Sequence, residues 1–254
     1  FRAPRCTDIS SSSKAIRGST TTLQKMSKSG ANWELYYWGG FKGRAEFVRL
    51  VFEEAGVPYR EVNDGISESI IQGKIGGYPV LFPPVIKHGD LVLSQTQVIC
   101  QYLAEKFDML PEKPENKYHA EQLNATILDC ITEGYNSYHG AKPGVSYKEQ
   151  KEEAQRYIDR FAKERLPRYL KNFEQSLKAN KGGSGFLFGD KVTHSDLILF
   201  HMLEAVKFQL PEVYKAADYI PLLKAFQARI AARPKIAAYL KSDRCQKFSG
   251  DSFM

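Results

Sequence analysis

At 254 residues and 43% hydrophobic content, the chain can bury one large core or two small ones. No stretch approaches the ~20 consecutive apolar residues a membrane helix needs, so no membrane span is expected. The formal charge of +7 does not mark a nucleic-acid-binding face: residues 1–30 set six cations against Asp8 alone, which leaves only +2 for everything after them.

That first segment, "FRAPRCTDISSSSKAIRGSTTTLQKMSKSG", is rich in serine, threonine and basic residues and has no hydrophobic periodicity. It reads as a disordered, targeting-like tail and resembles an organelle transit peptide. Its phenylalanine lead is similar to that of plastid-targeting segments in algae with secondary plastids, so a plastid or other organelle is expected. With Met26 as the true start, the protein would be cytoplasmic. Cys6, Cys100, Cys130 and Cys245 lie far apart, with no C-x-x-C pair and no cluster with histidine. They read as reduced structural thiols, and no metal is expected.

From Trp33, "WELYYW" reads as a strand, in which Tyr36 and Tyr37 must point to opposite faces. "RAEFVRLVFEEA" follows as a helix with Phe47, Val48, Val51, Phe52 and Ala55 on one face, closed by Gly56 and Pro58. "PYREV" is a second short strand. Residues 63–78, with glycines at 65, 73, 76 and 77, read as a loop holding at most a short helix. "PVIKHGDLVLS" is a hairpin turning at His88-Gly89-Asp90, and "SQTQVICQYLAEKF" a helix whose stripe is Val98, Ile99, Tyr102, Leu103 and Phe107.

The order strand-helix-strand, hairpin, helix is βαβ-ββα, that of a thioredoxin-like domain of roughly 75 residues. The predicted fold class is therefore α+β, a thioredoxin-like domain at 31–108, followed after a proline-bearing linker at 109–116 by an all-α domain at 117–254. Helices are predicted there at 117–138, 149–179, 194–208, 221–232 and 235–242. "VTHSD" supplies a capping box, with Thr193 as N-cap and Asp196 three residues on.

Three stretches, "GRAEFVRLVFEEAGVPY", "PPVIKHGDLVLSQTQVICQYL" and "FLFGDKVTHSDLILF" with "PLLKAFQARIAARPKIAAYL", together resemble a cytosolic-type glutathione transferase, over about residues 33–245. The resemblance implies glutathione as co-substrate, a small hydrophobic electrophile as its partner in the detoxifying reaction, and a homodimer. It makes Pro84 the cis proline that turns the preceding backbone toward the tripeptide. Pro83, at that preceding position, keeps its carbonyl but has no N–H to donate. Gln95 and Thr96, opening the helix after the hairpin, would hold the γ-glutamyl carboxylate at the positive end of the helix dipole. Lys74 is a candidate for the glycyl carboxylate, and Asp129 for the γ-glutamyl ammonium in the partner subunit. Read without the resemblance, these are a loop-shaping turn, an N-cap and two solvated charges.

No cysteine or serine stands at the end of the first strand, which favours the tyrosine-dependent classes of the family. Tyr37, in the pair "YW" with Trp38 packing beneath, is the match for the catalytic tyrosine, and Tyr36 is the fallback, since the loop "GGFKGR" is one residue longer than usual. The electrophile is expected between the loop after Trp38 and the helix carrying Tyr135, Tyr138 and His139. The alternatives are a non-catalytic binding or structural protein of the same fold, or a glutathione-dependent peroxidase or isomerase.

Overall fold

The structure, a computed structural model, describes residues 32–142 and 144–253; the targeting-like segment and Cys6 lie outside them. Strand β1 (Trp33–Tyr36) runs parallel to β2 (Tyr59–Val62), and helix α1 (Ala45–Ala55) makes the crossover between them. The hairpin β3 (Val85–His88) and β4 (Leu91–Ser94) adds on the other side, with β3 antiparallel to β1, giving a mixed sheet ordered β2-β1-β3-β4. Gly89 turns the hairpin at φ 59°, a conformation glycine adopts without penalty. A single wide helical turn at Ser67–Ile71 interrupts the long loop before β3.

Helix α2 (Thr96–Lys106) returns across the sheet, and after it the described chain is helical. The helical domain comprises α3 (Pro114–His139), α4 (Lys151–Arg160), α5 (Leu166–Ala179), α6 (His194–Gln209), α7 (Pro211–Ala216), α8 (Pro221–Ala231) and α9 (Pro234–Leu240). Two differences from the sequence reading have simple causes. Helix α3 starts at Pro114, inside the stretch read as linker, because proline suits a first helical turn, where its missing N–H would have no partner anyway. The predicted helix 149–179 is two helices joined by a wide turn at Phe161–Arg165, and α7 is too short for periodicity to reveal.

Helix α1 is the joint of the molecule. Every residue from Ala45 to Phe52 is buried, because α1 packs on the sheet and α2 and is covered by α6 and α9 of the helical domain. Its C-terminal carbonyls, at Glu54 and Ala55, accept from Lys235 Nζ at 2.9 and 3.1 Å, a cation placed at the negative helix end. Arg233 adds a paired contact to the Glu54 carboxylate, and Arg244 to Glu53.

Helix α6 runs through the core of the helical domain, and its capping box forms as predicted. The buried Asp196 carboxylate accepts from the Thr193 N–H and hydroxyl at 2.7 Å each, and also from the Leu187 N–H at 2.8 Å. Burial pushes this carboxyl up to about 6 against the pull of those three donors. The box therefore ties the loop at Leu187 to the start of α6 as well as capping the helix.

Candidate active site

β1 ends at Tyr36, two residues earlier than the sequence suggests, so Tyr37 already belongs to the bend. It is still held at the sheet: its N–H donates to Val62 O at 3.2 Å, and its carbonyl accepts from Asn63 Nδ2 at 3.1 Å. The expected alternation holds. Tyr36 faces a small cluster with Ile66, Ile70 and Val85, and its hydroxyl is spent on Glu34 Oε2 at 2.7 Å. Burial and that bond raise the Tyr36 phenol to about 12.

Tyr37 turns the other way, into the main core, and is 6% exposed. Its Oη accepts a hydrogen bond from the Arg44 N–H at 2.9 Å, and its own proton goes to no partner among the described residues. Burial raises this phenol, partly offset by the Arg44 amide and the Arg49 charge, so Tyr37 is protonated and available as a donor. The ring packed edge-on against it is Phe41, with centroids 5.7 Å apart. Trp38, expected beneath Tyr37, is instead 37% exposed at the mouth of the bend, because the longer loop brings Phe41 back into that place.

The loop from Trp38 to Arg44 is pinned from below by a cluster of charges on α1. Glu46, 1% exposed, accepts from Lys42 Nζ at 2.5 Å, Arg49 Nη1 at 3.2 Å and the Tyr239 hydroxyl at 2.9 Å. Burial acts to raise the Glu46 carboxyl, but Lys42 and Arg49 outweigh it and hold the group below the ordinary carboxylate range. Arg49, fully buried, bridges onward to Glu61 on β2 and donates to the Lys42 carbonyl at 2.9 Å. Sequence reading missed this cluster, since Glu46 and Arg49 lie on a helix face that would otherwise be solvated.

The C-terminal segment closes over the same loop. Lys247 O accepts from the Lys42 N–H at 2.9 Å, and Lys42 Nζ lies 3.2 Å from Cys245 Sγ. Further on, Phe253 is fully buried on α3, where it occupies the space a Cβ would need at Gly134. α3 meets the bend from this side: Arg44 Nη2 donates to the Thr132 hydroxyl at 2.9 Å, and Tyr135 is close enough to act electrostatically on Tyr37 and Arg44. Tyr135, 38% exposed, stacks on His139 with centroids 4.3 Å apart. Tyr138, grouped with them in the sequence, is core against Tyr147 and cannot line an open pocket.

Pro83-Pro84 and Gln95 stand at the same end of the sheet as Tyr37, because Val85 pairs with Tyr36 on β1 and with Ser94 on β4. The Pro83-Pro84 bond is cis and leads into β3. Gln95 precedes α2 with a positive φ of 72°, which a non-glycine residue adopts at a cost of about 1–3 kcal/mol and which tends to mark functional positions. Its side chain is exposed, whereas Thr96, the first residue of α2, is buried. Lys74 and Asp129 are both exposed and join no ion pair among the described residues. Val98, placed on the buried stripe of α2 by its spacing, is 46% exposed. A cavity of about 460 Å³ between α3 and α5, lined by His119, Asn172 and Phe188, contains none of these residues.

Residues 136–243 match the family described as "Glutathione S-transferase, C-terminal domain". Over 210 residues the chain is 30% identical to Glutathione S-transferase P 1 of Xenopus laevis, covering 81% of this chain and 91% of that protein. The chain belongs to the glutathione S-transferase family. This transferase is also 28% identical over 204 residues to Glutathione S-transferase P of Bos taurus, covering 79% of the one and 88% of the other. Its fold is that of a solved Pi-class glutathione S-transferase from Onchocerca volvulus, at TM-score 0.66 and 24% identity, over 83% of this chain and 92% of that one.

The charge cluster has a pH signature. A carboxyl held below its ordinary value contributes stability that is complete above the unfolded value, ~4.3, and is lost as pH falls through the folded one. Glu46→Gln leaves Lys42 and Arg49 buried without their anion, so a loss of about 3–5 kcal/mol in urea unfolding is expected at pH 7. The gap to wild type should stay level down to about pH 5 and narrow below ~4. A gap that is small at pH 7, or level into acid, would show that the carboxylate charge is not what holds the cluster.

Proposed function

We propose that this glutathione transferase raises the thiolate share of bound glutathione with the Tyr37 hydroxyl and presents the sulfur to a small hydrophobic electrophile. One observation carries the reading: a buried, protonated phenol accepts from the Arg44 amide and keeps its own proton free to donate. A thiol of pKa ~8.5 is only about 3% thiolate at pH 7. Lowering that value by about two units takes ~2.7 kcal/mol, within reach of one charge-assisted hydrogen bond aided by the field at a helix start.

The tripeptide would lie along the edge made by Pro83-Pro84 and the start of α2. The Pro83 carbonyl is available to accept from the cysteinyl amide, and that position donates nothing back. Gln95 and Thr96, at the positive end of α2, suit the γ-glutamyl carboxylate, and the strained backbone at Gln95 supports that role. Lys74 would reach the glycyl carboxylate. The electrophile would meet the sulfur between Tyr37 and the end of α3, against Tyr135 and His139.

A homodimer follows from the same reading. Tyr78, Leu81 and Phe82 crowd the loop before β3 at 82, 64 and 61% exposure, more apolar surface than a monomer usually leaves in one short segment. Asp129, exposed and without an ion pair among the described residues, would then serve the glutathione of the partner subunit. Light scattering should give twice the mass of the chain; a fully active monomer would remove both the dimer and that role for Asp129.

The two tyrosines are separated by kinetics. Tyr37→Phe should cut kcat/KM at neutral pH at least ~10-fold and move the pH-rate midpoint up toward the free thiol, with glutathione KM nearly unchanged. Tyr36→Phe should change none of these, because its hydroxyl serves Glu34. A shift produced by Tyr36→Phe and not by Tyr37→Phe would reverse the assignment.

A further inference from the structure

His201, on α6, meets the bend through a single peptide unit. Its Nε2 lies 3.3 Å from Gly43 O, and the N–H of the same peptide, that of Arg44, donates to Tyr37 Oη at 2.9 Å. A carbonyl oxygen can only accept, so Nε2 carries the proton. The ring is 1% exposed, and burial pushes its pKa down to about 3, so it stays neutral wherever the enzyme works. The charges that face it are Lys42, Glu46 and Arg49, from the loop and α1. Phe47 meets it edge-on at 4.6 Å and Phe248 of the tail stacks on it at 5.7 Å, so the ring has little freedom to turn.

We propose that His201 is a positioning residue for the transferase reaction, acting through the Gly43–Arg44 peptide to aim and strengthen the hydrogen bond that Tyr37 offers to glutathione sulfur. This role rests on the reading of Tyr37 as the donor to sulfur. The chain of bonds runs one way: Nε2–H to the Gly43 carbonyl, Arg44 N–H to Tyr37 Oη, Tyr37 O–H to the thiolate. Each donor polarises the next, by roughly 10–30% per bond, so the imidazole makes the tyrosine a better donor without touching substrate. It also fixes the plane of the peptide. Gly43, at φ +50°, can take this plane, and any side chain there would overlap Tyr37 Oη. The electrostatic role needs no charge on His201, only its N–H.

His201→Phe keeps a ring between Phe47 and Phe248 and deletes the donor. It should lower kcat/KM at neutral pH about 3- to 10-fold, the weight of one hydrogen bond, and raise the pH-rate midpoint while leaving the glutathione KM in place. His201→Gln, which can carry an N–H to nearly the same point, should recover most of the rate and return the midpoint. In a Tyr37→Phe background, His201→Phe should have no further effect on the midpoint, since the link it serves is gone. If His201→Phe does not fold, His201→Met is read the same way. An unmoved midpoint in folded His201→Phe or His201→Met, a loss that His201→Gln does not rescue, or full additivity with Tyr37→Phe would each overturn the role. If Tyr37→Phe itself leaves the midpoint in place, the tyrosine assignment fails and this role with it; if only His201→Phe does so, the tyrosine assignment stands.

Discussion

Glu46 is a carboxylate with almost no exposure, placed where the first helix, the second strand, the ninth helix and the tail converge, and its charge must be answered on every side. Lys42, Arg49 and the Tyr239 hydroxyl answer it. Buried ion pairs of this kind give little net stability over a well-packed apolar core, because desolvation cancels most of the attraction. What they impose is register: each partner can satisfy its charge in only one arrangement. Here that arrangement fixes the Lys42 carbonyl against Arg49 and the Lys42 amide against the tail.

The bend at Trp38–Arg44 inherits its shape from those fixed points. With Lys42 held from below and Gly43 held by His201, the Arg44 amide has one direction left, and Tyr37 Oη lies there. A single packed unit thereby links the helical domain to the tyrosine: α6 through His201, α9 through Tyr239, and the C-terminal segment through Lys247 and Cys245. The helical half thus holds the bend that carries Tyr37 in place.

Much of this was legible in the sequence, and most of the part that was not depends on contacts between residues far apart in the chain. The order βαβ-ββα, the hairpin at Gly89 and the Thr193–Asp196 box are local patterns, and each formed as expected. The period of two placed Tyr36 and Tyr37 on opposite faces, but which face leads to Arg44 depends on a loop that closes on residues far along the chain. Gly43 meets His201 across 158 positions and Glu46 meets Tyr239 across 193, so no window of sequence contains either pair. Phe41 takes the place expected for Trp38 because of the longer loop, and Tyr138 packs in the core against Tyr147. Val98 was misplaced for a different reason: the spacing of α2 marks a broad apolar face, and only part of it meets this chain's own core.

Whether one tyrosine hydroxyl sets the ionisation of bound glutathione can be read without turnover. Ultraviolet difference titration of the glutathione complex follows the thiolate directly, in the wild type and in Tyr37→Phe. A wild-type midpoint about two units below the free thiol's ~8.5, returning most of the way in the variant, is the predicted result. Equal midpoints in the two complexes would contradict it.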